Sequence, residues 1–533
     1  MPTEKSQWIS SINPSTEEEL GRIEAMSRDQ VDEALQRSRA AAEKWRRVDI
    51  SERCRLIRRL SDLILAEQQS IAELITLEQG KPLTEALYVE VLTTLSLLKD
   101  QYRYGGRLLQ RRRIRLEQPL LAHKFARISY EPYGVVAVIS PWNFPFSVPL
   151  PQITAALLAG NSVVFKPSPE VILIGRKIDE LFRSAGFPEN LVTTLFLLDK
   201  DAPYLTAHRH IDKIVFTGST ITGSSVMAAA AKEIKPVVLE LGGKDAAIVA
   251  ADADLVRAAK GIVWGAMFNA GQVCASVERV YVERPIAEKF LDLCLQEVKA
   301  LKFGDPRDPE TQVGPLTTLQ QVQKVEEQVK DAVERGARVL FGGYRLKRAG
   351  FFFSPTLMTD VDHSMKIMRE ETFGPVLPIM AVDSLQDAVT LANDSEYGLT
   401  AYVWTWSRKT AARLAADLQA GTVIVNDSAV TWGEPKAPWG GVKKSGIGRT
   451  RGRETVLEWV QPKFTAFDDG GKKTNLWWFP YSAETEKLAA LAGEALFLRK
   501  PSKLWKLIKT AFHPRFAASA HWSSVLRHFL KLF

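Results

Sequence analysis

Cysteine is scarce: 533 residues contain only Cys54, Cys274 and Cys294. An odd, widely spaced set excludes a disulfide framework and points to a reducing compartment, and no metal-ligand spacing accompanies it, so no metal is expected. No stretch of about 18 uninterrupted apolar residues occurs, which excludes a clear transmembrane helix. The start, MPTEKSQWIS, is polar, unlike a secretory signal, and a cytoplasmic protein is expected. Internal repeats and low-complexity tracts are also missing. The last absence is local: from Ala495 to the end there is no Asp or Glu.

That local absence explains the charge. The net formal charge is +8, and the terminal stretch alone holds eight cations: Arg499, Lys500, Lys503, Lys506, Lys509, Arg515, Arg527 and Lys531. The remaining chain is balanced, with 62 basic and 62 acidic groups. An acidic partner would therefore be met by the tail. The run RRRIR (111–115) has no basic stripe around it and reads as a solvated edge, so no nucleic acid is expected.

At 46% hydrophobic residues, a chain of this length buries large cores and divides into domains. Residues 29–47 and 51–80 carry apolar positions at helical spacing, with Ser51 a candidate N-cap. Strand-like GVVAVIS, NSVVFKPS, DKIVFTGS and KPVVLEL then alternate with helical segments, and a second series includes ARVLFGG, VLPIMAV, TAYVWT and GTVIVN. Such alternation predicts an α/β protein with mainly parallel sheets covered on both faces. Cys54 and Cys294 lie in helix-periodic runs and read as small buried apolar residues.

Cys274 differs. It lies in FNAGQVCASVER, 34 positions after Glu240 of LELGGKDAAIV. A thiol and a carboxylate in glycine-bearing turns supply a nucleophile and a water-activating base. Attack of a thiolate on a carbonyl generates an oxyanion, for which the Asn143 amide in PWNFP and the Cys274 backbone N–H are candidate donors. FTGSTITG offers Gly218 and Gly223, which is neither G-x-G-x-x-G nor a Walker loop. It does offer a strand, a tight turn and a helix N-terminus where Ser219 and backbone N–H groups can meet a pyrophosphate. His208 and His210 have no third ligand at usable spacing.

PWNFP (141–145), VVFKPS (163–168), FTGST (216–220), the Glu240 and Cys274 runs and EETFGPV (370–376), in this order, resemble the NAD(P)-dependent aldehyde dehydrogenase superfamily over roughly residues 8–464. The resemblance implies a Rossmann-type dinucleotide-binding domain (1–110 and 131–240) and an α/β catalytic domain (241–449). It also implies a small β oligomerisation element (111–130 and 450–464), which would make a homodimer or homotetramer. It makes Cys274, Glu240 and Asn143 catalytic. Lys166 would hold the adenosine ribose, the turn with Gly218, Ser219 and Gly223 would meet the pyrophosphate, Glu371 would bind the nicotinamide ribose and Phe373 flank the nicotinamide, and Trp142, Ser168 and Leu241 would also be cofactor-binding. NAD or NADP is the implied cofactor. Many NAD-preferring members carry an acid three positions after the lysine; here that place is Pro169, with Glu170 next, so NADP use stays open. Asn426, Gly440, Gly441, Gly446 and Gly448 resemble signatures near the substrate mouth, or are ordinary turn residues.

Residues 465–533 form a basic extension. NLWWFPYS (475–482) resembles the fatty-aldehyde and class-three branch, and PSKLWKLIKTAF and FAASAHWSSVLRHFLKLF read as amphipathic helices edged by Lys and Arg. They suit an anionic membrane surface, or docking on the protein's own body. With Phe144, Val148, Pro151 and Phe268 as uncharged channel walls, the expected substrate is a long-chain or lipophilic aldehyde. The alternatives are a small-aldehyde or semialdehyde dehydrogenase whose tail serves assembly, and a catalytically silent membrane-recruited scaffold.

Overall fold

The computed structural model describes residues 7–118, 121, 124–468, 475, 477–497, 505, 506 and 509. The chain divides into two units: Met1–Leu108 with Pro132–Val460, and Leu109–Glu131 with Gln461–Phe533.

The first unit opens on a short antiparallel ribbon and a set of helices. The helix Arg28–Trp45 starts at a capping box, in which Ser27 Oγ accepts from the Gln30 N–H at 3.3 Å and Gln30 Oε1 accepts from the Ser27 N–H at 2.8 Å. Its buried face runs Val31, Ala34, Leu35, Ala42, Trp45, the three-and-four spacing of an amphipathic helix. The helical stretch expected over 51–80 is two helices, Ile50–Ala66 and Gln68–Gln79, broken at Glu67. Ser51 is not the cap. The helix begins one residue earlier behind Asp49, so the Ser51 side chain lies within the first turn.

Five strands from residues 135–240, joined by a short sixth from far along the chain, build a sheet in the order Gly446–Ile447, Val237–Glu240, Lys213–Thr217, Val135–Ile139, Ser162–Lys166, Val192–Thr194. All neighbours are parallel except the short Gly446–Ile447 strand, which runs antiparallel to Leu239–Glu240. Every residue of Val135–Ile139 and Ser162–Lys166 is buried, as strands covered on both faces must be. Each such Val or Ile contributes roughly 1.5–3 kcal/mol by leaving water. The chain moves outward one way through Ser162–Lys166 and the other way through Lys213–Thr217. The crevice at the carboxyl ends of these strands is therefore a topological switch point, where open α/β sheets bind ligands.

A seven-stranded sheet follows, in the order Arg338–Phe341, Thr356–Thr359, Val376–Val382, Val277–Glu283, Asp245–Val249, Thr400–Trp404, Thr422–Val425, parallel but for its first pair. Only four residues, Leu241–Lys244, join strand Val237–Glu240 of the first sheet to Asp245–Val249 of the second. The carboxyl end of one sheet is thereby brought against the amino end of the other.

The second unit carries a three-stranded sheet in the order Val460–Phe467, Phe125–Pro132, Arg112–Ile114. Phe125 stacks on Phe467 at 4.9 Å. Beyond it, Trp477, Trp478, Phe479 and Tyr481 are exposed. The two terminal amphipathic helices expected at 501–512 and 516–533 lie outside the described residues, apart from Trp505, Lys506 and Lys509. Among the described residues no helix is long and apolar enough to cross a membrane.

Candidate active site

Where the two sheets meet, a cavity of about 220 Å³ opens in the first unit. Its wall includes Cys274, Glu240, Asn143, Trp142, Gly218, Ser219, Leu241, Glu371 and Phe373, nine of the twelve residues singled out from sequence. Their convergence follows from the topology. Trp142 and Asn143 follow strand Val135–Ile139, Gly218 and Ser219 follow Lys213–Thr217, and Glu240 ends Val237–Glu240. Cys274 precedes Val277–Glu283, and Glu371 and Phe373 precede Val376–Val382. Val148 and Pro151, expected in the channel, line it too.

The Cys274 loop is held in an unusual backbone. Asn269, Ala270 and Gly271 have φ of 52°, 52° and 71°, consecutive left-handed residues of which two carry side chains. Such strain persists only where surroundings over-determine it. Here the Asn269 N–H donates to Glu85 Oε2 at 2.8 Å, its amide donates to the Asn143 and Gln272 carbonyls, each at 3.1 Å, and Gln272 Oε1 accepts from the Thr317 N–H at 2.8 Å. Close approach completes the clamp, since a Cβ on Gly243 would lie 2.3 Å from the Cys274 carbonyl oxygen. Cys274 is half-buried. Burial, followed by the nearby carboxyls of Asp245, Glu240 and Glu371, pushes its thiol well above the ordinary range.

The Asn143 amide donates to the Gln272 carbonyl at 3.0 Å, which fixes the side chain and spends one of its two N–H groups. No partner for the other, or for the Cys274 backbone N–H, occurs among the described residues. Both belong to residues that face the cavity. Glu240 is buried; Oε1 accepts from Thr450 Oγ1 at 3.2 Å, while Oε2 has no partner among the described residues. Burial raises its carboxyl to about 8, against the smaller opposing pull of the Thr450 hydrogen bond and of Arg449 and Arg451. A carboxyl so placed exchanges protons near neutral pH.

The opposite wall has the donors a dinucleotide needs. Ser219 caps the helix Thr220–Ala231, accepting from the Thr222 N–H at 3.2 Å, and the first N–H groups of that helix lack intrahelical partners. Glu371 Oε1 accepts from the Gly243 N–H at 3.0 Å, and the Phe373 ring meets Trp142 edge-on at 5.4 Å. Buried Glu278 fixes this turn by accepting from the Thr372 and Phe373 N–H groups at 2.8 and 2.9 Å while paired with Lys244. Lys166, Ser168 and Gly223 do not line the cavity. Lys166 pairs with Asp199 at 2.8 Å, Ser168 is hydrogen-bonded to Glu170, and a Cβ on Gly223, within the capped helix, would meet the Leu241 side chain. Acidic groups thus already engage both Lys166 and Ser168.

Behind Cys274 a second cavity of about 90 Å³ is walled by Phe144, Phe268, Trp264, Tyr402, Trp432 and Trp439 among others. Trp264 and Phe268 stack at 4.6 Å, and Phe144 lies 6.4 Å from Phe268 and 5.3 Å from Trp432. The chemistry here is apolar and aromatic. Asn426 does not line either cavity; its side chain bonds to the Thr405 backbone in both directions, tying two strand ends. Gly446 pairs with Glu240 as part of the sheet edge, behind the carboxyl rather than in front of it.

Sequence reading missed several supports. Lys81 is fully buried, paired with Glu90 at 2.6 Å and donating to the Asn143 carbonyl at 2.8 Å. Glu90 in turn accepts from the Ser147 N–H at 2.7 Å. Thr450, Arg451, Trp432 and Trp439 also face the cavity. The family resemblance placed Thr450 and Arg451 in the oligomerisation element (450–464), whereas both line the cavity.

A family model described as "Aldehyde dehydrogenase family" matches residues 1–465. Among curated proteins, 4,4'-diapolycopene aldehyde oxidase of Methylomonas sp is 38% identical over 475 residues, 89% of this chain and 88% of that protein. Among solved structures, an NAD+ complex of an aldehyde dehydrogenase from Bacillus cereus superposes with a TM-score of 0.83 at 34% identity, covering 87% of this chain and 94% of that one. An E. coli NADP dependent enzyme gives 0.83 at 34% identity, covering 86% and 95%.

Proposed function

Because this chain belongs to the aldehyde dehydrogenase family, and so oxidises aldehydes to acids with NAD or NADP, we propose that Cys274 is its nucleophile, Glu240 its hydrolytic base, and a lipophilic aldehyde its substrate. The carrying observation is the single cavity that holds Cys274, Glu240 and Asn143 on one side and the Ser219, Glu371 and Phe373 wall on the other.

In this reading Sγ of Cys274 loses its proton and bonds to the aldehyde carbon. The carbonyl oxygen becomes an oxyanion, met by the free N–H of the Asn143 amide and the Cys274 backbone N–H. NAD or NADP, when bound, would supply the hydride acceptor; Trp142, Gly218, Ser219, Leu241, Glu371 and Phe373 would hold it, Gly223 would let the capped helix pack close, and Lys166 and Ser168 would serve its adenosine end. Loss of hydride from the carbon leaves a thioester on Sγ. Glu240 then takes a proton from water, the water oxygen bonds to the acyl carbon, and the C–S bond breaks to return Cys274 and release the acid.

The lipophilic substrate is supported by the aromatic cavity behind Cys274 and by the aldehyde in the name of the Methylomonas relative. The basic tail and the exposed Trp477, Trp478, Phe479 and Tyr481 support peripheral binding to an anionic membrane, where such substrates partition. The two edges of the three-stranded sheet suit self-association as a homodimer or homotetramer. Mixing the enzyme with long-chain aldehydes and NAD or NADP, and following absorbance at 340 nm, tests the reading. Faster turnover of short than of long aldehydes at equal concentration would overturn the substrate assignment.

A further inference from the structure

Arg451 is 6% exposed and makes no ion pair among the described residues, although Glu240 and Glu371 line the same cavity and Glu240 and Glu90 act on it through space. A cation buried without an acid is costly, and an apolar side chain would fill the space at less cost. What distinguishes arginine is its planar fork, which can hold acceptors from separate segments and stack on a ring at once.

Arg451 does all of this. One terminal nitrogen donates to the Trp432 carbonyl, the other donates to the Ser147 carbonyl at 3.0 Å, and the guanidinium lies 3.3 Å from the centre of the Trp432 ring. Ser147 closes the turn that begins at Asn143. That turn has its N–H groups of Phe146 and Ser147 on Glu90 and its carbonyls on Lys81 and Arg451. Trp432 is held on its other sides by Phe144 and Trp439, each 5.3 Å away, and by donation from its indole N–H to the Val89 carbonyl at 3.3 Å. It lines both the main cavity and the aromatic one, so its ring is part of the partition beside Cys274.

We propose that Arg451 is a specificity-determining positioning residue: it pins the Trp432 ring against the Asn143 turn and thereby limits the cross-section of the acyl chain that Cys274 accepts. Unbranched chains pass beside the pinned ring and ring-bearing aldehydes are refused. The inference rests on the reading of Cys274 as nucleophile. A guanidinium can do this because its N–H groups leave from the edge of a rigid plane whose face is free to stack on the ring, whereas an ammonium has no such planar face.

The test uses the full-length enzyme with hexanal and naphthaldehyde as probes and reads the ratio of their kcat/KM values. Arg451→Met and Trp432→Ala should each lower the hexanal preference at least tenfold, through a lower KM for naphthaldehyde. The double variant should fall no further than the larger single change, because both remove the same contact. Arg451→Lys should behave like Arg451→Met. If Lys restores the preference, charge near Glu240 rather than the fork is responsible and the proposal fails. A ratio unchanged within twofold in both single variants also overturns it. Should Arg451→Met not fold, Trp432→Phe, which narrows the ring while keeping the fold's aromatic contacts, must show the same direction of change. Retained hexanal oxidation in Cys274→Ala would sink the nucleophile reading alone, since the ratio in the Arg451 variants is measured independently of it.

Discussion

The two sides of Cys274 are built differently. On the cofactor side, each contributing residue sits within a few positions of a strand end: Trp142 and Asn143 after Ile139, Ser219 after Thr217, Leu241 after Glu240. On the aromatic side, Phe144, Phe268, Trp264, Trp432 and Trp439 come from loops and helices far apart in the chain. The first wall is a consequence of sheet topology, which short motifs mark. The second is a consequence of packing: Phe144 and Phe268 fall within the PWNFP and FNAGQVC runs, but Trp264 and Trp432 belong to no such motif.

The comparison breaks most sharply at Cys274, which lines both cavities. Cys274→Ala should lower turnover by about a thousandfold or more while leaving NAD binding and thermal stability unchanged, since the loop is held by Asn269 and Gln272 rather than by Sγ. Rapid mixing and cofactor fluorescence check the two halves of that statement. A variant that lost cofactor binding as well would show that the thiol organises the other wall.

Next in size is Glu240→Gln. The steady state should fall by roughly 10²–10⁴-fold, yet one equivalent of reduced cofactor per site should still appear in a burst, because the base is needed only after the thioester forms. The pH profile follows from the carboxyl's position near 8: wild-type turnover limited by hydrolysis should rise as pH passes through about 8, and that limb should vanish in the Gln variant. Stability carries the opposite sign. The folded carboxyl holds a proton from its ordinary value of 4.5 up to about 8 that the unfolded chain has released, so stability falls as pH rises through that window. The Gln substitution should remove Glu240's share of this decline and leave that of Glu78, Glu85 and Glu371, whose carboxyls burial raises to about 7, as calorimetry at pH 6 and pH 9 would show.

Phe268→Ala sharpens the contrast within the aromatic wall. Loss of roughly 1–2 kcal/mol of apolar contact should reduce kcat/KM for long aldehydes by about tenfold and spare acetaldehyde. An equal loss on both would place Phe268 in loop support instead. On the cofactor wall a smaller effect is expected: NADP should be used measurably, with an NAD preference below about a thousandfold, because Pro169 brings no charge against a 2′-phosphate. A larger preference would assign the exclusion to Glu170, held beside Ser168, or to Asp199. The smallest effect on chemistry belongs to the tail. Truncation after residue 497 should abolish co-sedimentation with anionic vesicles, leave kcat/KM for short soluble aldehydes within about twofold, and slow oxidation of membrane-borne ones.

Much of this site could be read before any fold was in view. Strand positions such as Val135–Ile139 were legible because a strand buried on both faces is a continuous β-branched run. Lys166 and Ser168 show the limit. Their motif places them at the right strand end, while the side chains turn to Asp199 and Glu170, acids outside the motif. Ser51 shows another, since a helix start depends on where the preceding loop delivers the chain, and that loop released it at Asp49.

By itself the sequence determined the fold class, the family, the order of strands and helices, and the identity of the thiol, carboxyl and amide that converge, because periodicity and short motifs encode what neighbours in the chain do. Tertiary structure alone decided that Arg451 is buried between Ser147 and Trp432, and that Lys81 and Glu90 brace the Asn143 turn from within. The reason is physical. A buried charge is tolerated only where acceptors from distant segments meet it, and the meeting of residues 147, 432 and 451 has no trace in the local pattern around any one of them.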